Sequence, residues 1–314
     1  MLSTLGILLP VFALIFAGFV CRRRALLGPT AASELNRFVV RLALPALLFD
    51  ITAHSDWAQL TNPALVATFS VSCTAVFAIV LAARLMAGRQ LADASVDAIA
   101  ASYPNTGYLG FPLVLLAFGH AGLAPTTIAT VIVTCVLFTF AIVLIEIGVQ
   151  NERAPRKLAA KVAWSLVKNP LTMAPVVGAL VSGAAIALPP GLTAFTKLLG
   201  GAASPCALVS LGLFLAEPRP ATGATRSALV FTGVKLLVQP MLAWWLAVHV
   251  FALATPLADV AVLLAALPTG TGPYMLAEFY RREAAVTAQT ILLSTMGSLV
   301  SLSLLLYWMR APGG

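Results

Sequence analysis

Charge is scarce in this chain. Only 10% of its 314 residues are Asp, Glu, Lys or Arg, where a soluble domain carries about 25%. No polar interval is much longer than Gln150 to Lys168, which leaves no room for a soluble domain. Cysteine is equally sparse: Cys21, Cys73, Cys135 and Cys206 lie in or beside apolar runs without paired spacing. That argues against disulfide or metal use. His54, His120 and His249 show no metal-ligand spacing either. The opening residues, Met1-Leu2-Ser3-Thr4, lack a basic stretch, and the first arginines follow the first apolar run. This predicts a retained first span, not a cleaved leader.

What fills the chain is hydrocarbon: 60% of residues are hydrophobic and the mean hydropathy is +0.98. A membrane-spanning helix needs about 20 mostly apolar residues. Such runs lie near 5–21, 36–53, 63–83, 95–118, 125–147, 169–187, 196–216, 227–250, 259–280 and 285–309, ten in all. The net charge of +8 does not point to nucleic acid, because the basic residues sit in short loops between these runs. With the N-terminus outside, Arg22, Arg23, Arg24, Arg37, Arg41, Arg84, Arg89, Arg153, Arg156, Lys157, Lys161, Lys168, Arg219, Arg226, Arg281 and Arg282 all fall on the cytoplasmic side. Lys197 and Arg310 fall outside and Lys235 within a span. The positive-inside rule therefore sets both termini on the outer face of the inner membrane.

The ten runs divide into two fives. Pro10 and Gly18 correspond to Pro175 and Gly183, Pro45 to Pro205, and Ala64-Leu65-Val66 to Ala228-Leu229-Val230. Pro104 corresponds to Pro268, and Thr127-Ile128 to Thr290-Ile291, at separations of 160 to 165 positions. Because five is odd, the second copy is inserted upside down, which is the inverted-repeat logic of secondary carriers. The predicted fold is an all-α polytopic membrane protein. Residues 1–149 form one five-helix repeat, 150–168 a short basic cytoplasmic linker and 169–314 the inverted second repeat.

Two segments interrupt spans four and nine: Ala-Ser-Tyr-Pro-Asn-Thr-Gly-Tyr-Leu-Gly-Phe-Pro at 101–112, and Ala-Leu-Pro-Thr-Gly-Thr-Gly-Pro-Tyr at 266–274. Proline removes a backbone donor and glycine loosens the chain. In lipid such breaks survive only inside protein or beside a polar cavity. Each exposes a half-helix N-terminus, from about Tyr108 and about Pro273, suited to a carboxylate. The residues offered to that anion are Pro104, Asn105, Thr106, Gly107, Tyr108, Pro268, Thr269, Gly270, Thr271 and Tyr274. The competing reading is that the prolines only kink packed helices.

Lys235, with Gln239 one turn on, lies inside span eight. It either compensates the anion's charge or carries a proton, or else it snorkels to the cytoplasmic surface. Asp50, Asp97, Glu146 and Glu278 lie near span ends and read as interfacial, as do the three histidines. No acidic residue falls at a predicted midplane, so a dedicated sodium site finds no support. An intramembrane hydrolase using Ser102 or Ser204 lacks a midplane His or a catalytic Asp pair. The chain reads as no enzyme, with no cofactor.

At these residues the chain resembles the auxin efflux carrier family, which includes plant auxin exporters and bacterial carriers of malonate and other organic acids. Pro104-Asn105-Thr106, Gly110, Pro112-Leu113 and Gly119 follow the family's fourth span. Ala266-Leu267-Pro268, Gly270, Pro273-Tyr274, Ala277 and Tyr280 follow its ninth. Asn169-Pro170, Thr172 and Gly178 match the start of the sixth. Lys235-Leu236-Leu237-Val238-Gln239-Pro240 is similar to the eighth span of malonate-type members.

The resemblance implies a ten-helix fold related to the bile-acid and sodium/proton carriers. Spans one, two, six and seven would be scaffold, and the remaining spans a transport domain. It also implies an organic-anion site where Asn105 hydrogen-bonds a carboxylate. Alternatives are a sodium-coupled bile-acid-like symporter and a carrier-fold receptor without flux. Proton co-transport and a homodimer are compatible with the layout, though no motif specifies either. Two departures stand out. The long hydrophilic loop of plant members is here only Gln150 to Lys168, and their acidic residue in span three is replaced by Thr68, Ser70, Ser72 and Thr74.

Overall fold

The computed structural model describes residues 2–56, 62–150, 164, 167–217, 225–282 and 284–309. Most of the basic linker, with Arg153, Arg156, Lys157 and Lys161, lies outside the described residues, as do Arg219 and Arg310. Among the described residues the chain is helical and forms no strand; the one non-helical pairing is an isolated bridge between Pro104 and Thr269.

In chain order the helices are α1 (Leu2–Arg23), α2 (Ala31–Phe38), α3 (Leu44–Ala53), α4 (Pro63–Met86), α5 (Leu91–Ser102), α6 (Phe111–Phe118), α7 (Leu123–Val131) and α8 (Phe138–Gln150). There follow α9 (Pro170–Gly183), α10 (Pro190–Gly201), α11 (Ala203–Leu215), α12 (Thr225–Gly233), α13 (Gln239–Trp245), α14 (Leu257–Ala265), α15 (Gly272–Phe279) and α16 (Ala284–Met309). Among the described residues, six helical stretches are long and apolar enough to cross a membrane: Gly6–Arg23, Pro63–Met86, His120–Val149, Pro190–Leu215, Arg226–Val250 and Ala284–Met309. Two apolar stretches, Thr106–Phe118 and Pro170–Gly183, are shorter. At 1.5 Å per residue the 24 residues of α4 reach about 36 Å, more than a ~30 Å hydrocarbon core.

Proline explains three departures from α geometry. Val39–Ala43, Thr106–Gly110 and Val234–Val238 wind as π-helix, and each ends two residues before a proline: Pro45, Pro112 and Pro240. A proline can neither donate to the carbonyl four residues back nor avoid crowding it. Widening the preceding turn relieves both problems, and such turns recur at functional sites.

The chain divides into two compact units. One holds Met1–Asn62, Gly107–Val131 and Val167–Arg219; the other holds Pro63–Thr106, Ile132–Leu166 and Pro220–Gly314. Each therefore draws on both halves of the sequence. In the first unit α1 packs on α11, and α3 on α9 and α10. The α1–α11 approach is backbone to backbone: a side chain at Gly18 would enter the Val209 carbonyl, and one at Gly212 the Ile15 carbonyl. Small residues of this kind let helices touch where lipid supplies no hydrophobic drive. Ser210 Oγ donates to Ala32 O at 3.0 Å and Ser182 Oγ to Ser55 O at 2.7 Å.

The second unit packs α4 on α5, α5 on α8, α12 on α16 and α13 on α14. Its core mixes Phe69, Ile99, Leu263 and Ile291 with many buried hydroxyls. Ser72, Ser95, Ser102, Thr290 and Ser298 each donate to a carbonyl three or four residues back, which satisfies them within their own helix. Asp97 and Glu146 correct the interfacial expectation, since both are buried. Asp97 Oδ2 accepts from Arg84 Nε at 2.7 Å and Glu146 Oε1 from the Tyr280 hydroxyl at 2.7 Å. A buried carboxylate needs such partners. Glu278 is exposed.

Candidate functional site

The two breaks meet inside the second unit. Pro104 bars the α region to Tyr103, whose backbone is extended (φ −94°, ψ 94°), so α5 stops there. Pro268 ends the other segment one turn after α14. The groups stranded by each break are taken up by the other. Asn105 N donates to Pro268 O at 2.9 Å, and Gly270 N donates to Tyr103 O at 3.1 Å. Thr269 N reaches Ser294 Oγ on α16 at 3.0 Å.

A helix ends with carbonyls that have no partner of their own, and here side chains supply some of those partners. Thr269 Oγ1 donates to Ala100 O at 2.9 Å, and Gln239 Nε2 donates to Ser102 O at 3.1 Å. At the end of α14, Lys235 Nζ donates to Ala265 O at 2.7 Å. Lys235 is fully buried, so it does not snorkel. Its ammonium sits against the negative end of α14, the favourable end for a cation. It has no carboxylate partner among the described residues.

Beside the bridge, Asn105 leaves a donor unspent among the described residues. Asn105 is only 4% exposed, and its Nδ2 has no hydrogen-bond partner among the described residues. Leaving such a group unmade costs about 1–3 kcal/mol, so a buried donor of this kind calls for a water, an ion or a bound molecule as its partner. Gln239 Oε1, Thr68 Oγ1 and Thr295 Oγ1 are also buried and unpaired among the described residues of the same unit.

Of the residues read from the sequence, Pro104, Asn105, Pro268, Thr269 and Gly270 are brought together at the bridge, and Thr106 follows directly, its N–H donating to Pro104 O at 2.8 Å. Thr271 and Tyr274 are half-buried at the start of α15, which begins at Gly272. Gly107 and Tyr108 belong to the first unit. There the Tyr108 hydroxyl donates to Asn36 Oδ1, and Gly107 faces Leu44. Sequence reasoning missed Ser294 and the carbonyls of Ala100, Ser102 and Ala265. The only signal for Ser294 was a hydroxyl in an apolar run.

Tyr103 closes one side of the bridge. Its ring lies over Gly270 and Gly272, where an added Cβ would stand 3.0 Å and 2.9 Å from ring carbons, and it meets Phe138 edge-on at 6.0 Å. Gly272→Ala should therefore push the ring aside and destabilise the unit by about 1–3 kcal/mol. Thermal unfolding of the purified protein in detergent would read this; an unchanged midpoint would remove the packing account.

Across residues 4–306 the chain matches the family described as "Membrane transport protein". It is 30% identical over 308 residues to a Rhizobium meliloti (strain 1021) protein named "Putative malonate transporter", covering 98% of this chain and 96% of that one. It is 27% identical over 301 residues to a protein of Methanothermobacter thermautotrophicus named "Uncharacterized transporter", covering 94% and 95%. It is 24% identical over 311 residues to the Escherichia coli (strain K12) "Uncharacterized transporter YfdV", covering 98% of each.

Proposed function

The chain belongs to the membrane transport protein family, that of the auxin efflux carriers, and from that premise we propose that it is a secondary active carrier of small organic anions such as malonate. The observation that carries this reading is the unspent Asn105 Nδ2 beside the paired breaks. A carboxylate oxygen is the acceptor that this donor lacks, and Thr106, Thr271 and the α15 N-terminus would add further donors. Lys235 would compensate the anion's charge, with Gln239 holding α5 in register beside it. The name of the Rhizobium meliloti relative puts malonate first among the candidates.

In this reading ten spans form two inverted five-helix repeats in the inner membrane, with both termini outside. One helical group rocks or slides against the other to give alternating access. Proton coupling and a homodimer belong to the same proposal. The test is uptake of labelled malonate by proteoliposomes in sodium-free buffer, with and without an inward proton gradient. Gradient-stimulated uptake is the expected result. Uptake that appears only with sodium would favour a bile-acid-like symporter, and binding without flux a receptor.

A further inference from the structure

The last turns of α4 and the first turns of α12 leave between them a groove of about 490 Å³ within the second unit. That lies inside the range of built ligand pockets, roughly 300–1,000 Å³. Its walls are Ile79, Val80, Val230, Phe231 and Val234, and its polar residues are Arg84, Arg226 and Ser227. The two kinds are segregated along the helices. Arg226 and Ser227 open α12, while Val234 follows eight residues on, about 12 Å at 1.5 Å per residue. Arg84 likewise lies five residues beyond Ile79, toward the end of α4.

Among the described residues, the ion pairs at the basic end leave that end a surplus of positive charge. Asp97 is its carboxylate, and it serves two guanidiniums, Arg84 Nε at 2.7 Å and Arg89 Nε at 3.8 Å. Arg84 also lies over the Phe231 ring, 5.6 Å from its centroid. Arg226 is exposed and has no ion-pair partner among the described residues. The apolar wall is open as well: Ile79 is 63% and Val230 57% exposed. Both helices belong to stretches apolar enough to cross a membrane, so an open apolar wall here suits an acyl chain.

We propose that this groove is a binding site for an anionic phospholipid, with the phosphodiester on Arg226 and Arg84 and one acyl chain along Ile79, Val80, Val230, Phe231 and Val234. Guanidinium forks match phosphate oxygens in geometry and charge, and basic pockets between spanning helices recruit anionic headgroups. A free phosphate would leave the apolar wall unused, and a zwitterionic lipid would leave the net positive charge uncompensated. The site does not depend on which solute is carried.

Native mass spectrometry of the full-length protein would test it, with palmitoyl-oleoyl phosphatidylglycerol and the matching phosphatidylcholine offered at equal concentration. Wild type should retain the phosphatidylglycerol about fivefold more strongly, as expected for one arginine near a headgroup. Arg226→Gln should lose that preference. Val230→Trp, which fills the groove and keeps both arginines, should lower retention about as much. Equal retention of the two lipids, or wild-type retention in both variants, would overturn the proposal. Loss in Arg226→Gln alone, or displacement by inorganic phosphate, would reduce the site to surface electrostatics and also overturn it.

Discussion

Asn105→Ala should abolish most transport while leaving the protein folded. The wild-type side chain makes no hydrogen bond through Nδ2 among the described residues, and the backbone N–H that joins Pro268 O at 2.9 Å survives the substitution. Truncation therefore removes no internal hydrogen bond from Nδ2 and relieves an unpaired buried amide. A hydrogen bond from that amide to a carboxylate is worth about 1.5–3 kcal/mol, or roughly 10- to 150-fold in affinity. Uptake of labelled malonate below saturation should fall by at least about tenfold, with the thermal midpoint held within a degree or two. Wild-type uptake by this variant would place the substrate elsewhere.

The second large effect is expected at Lys235. Replacing it with Met keeps the length of the buried side chain but removes its charge and its bond to Ala265 O. The lost bond costs about 1–3 kcal/mol, offset in part because an ion no longer has to be held out of water. Stability should change little. Transport should change much more. At an effective dielectric near 20, two opposite unit charges ~8 Å apart attract by roughly 2 kcal/mol, or about 30-fold in affinity, which sets the scale of the loss if the anion binds beside the paired breaks. Lys235→Ala is the poorer probe, since it adds a cavity worth about 2–5 kcal/mol. Melting and initial uptake rates measured on Lys235→Met separate the two roles. A folded variant with normal uptake would leave Lys235 as a helix-end partner only.

The breaks at 101–112 and 266–274 were legible because proline and glycine act locally, through a missing donor and a missing Cβ. Family membership was legible in the same residues, and is borne out over most of the chain. Long-range pairing was not legible. Thr269 reads as a ligand-facing hydroxyl, yet it donates to Ala100 O. Asp97 and Glu146 read as interfacial because they lie near span ends. Only the fold brings Arg84 and Tyr280 against them. An interleaved division was implied only by the family resemblance, because contact between segments far apart in sequence leaves no periodic trace along the chain; the observed units also put Gly107–Val131 with the first, second, sixth and seventh spans.

The bridge between Pro104 and Thr269 is built from main-chain atoms: Asn105 N to Pro268 O, and Gly270 N to Tyr103 O. Side chains constrain this junction at the prolines and glycines, Pro104, Pro268, Gly270 and Gly272, and leave its other positions free to vary. If the proposed site is the cargo site, descendants of such a chain can exchange the residues that greet the cargo while the junction beneath them stays intact. Diversification of cargo then requires mutations in sequence but no reinvention of architecture, and one scaffold can found a lineage of carriers with different tastes.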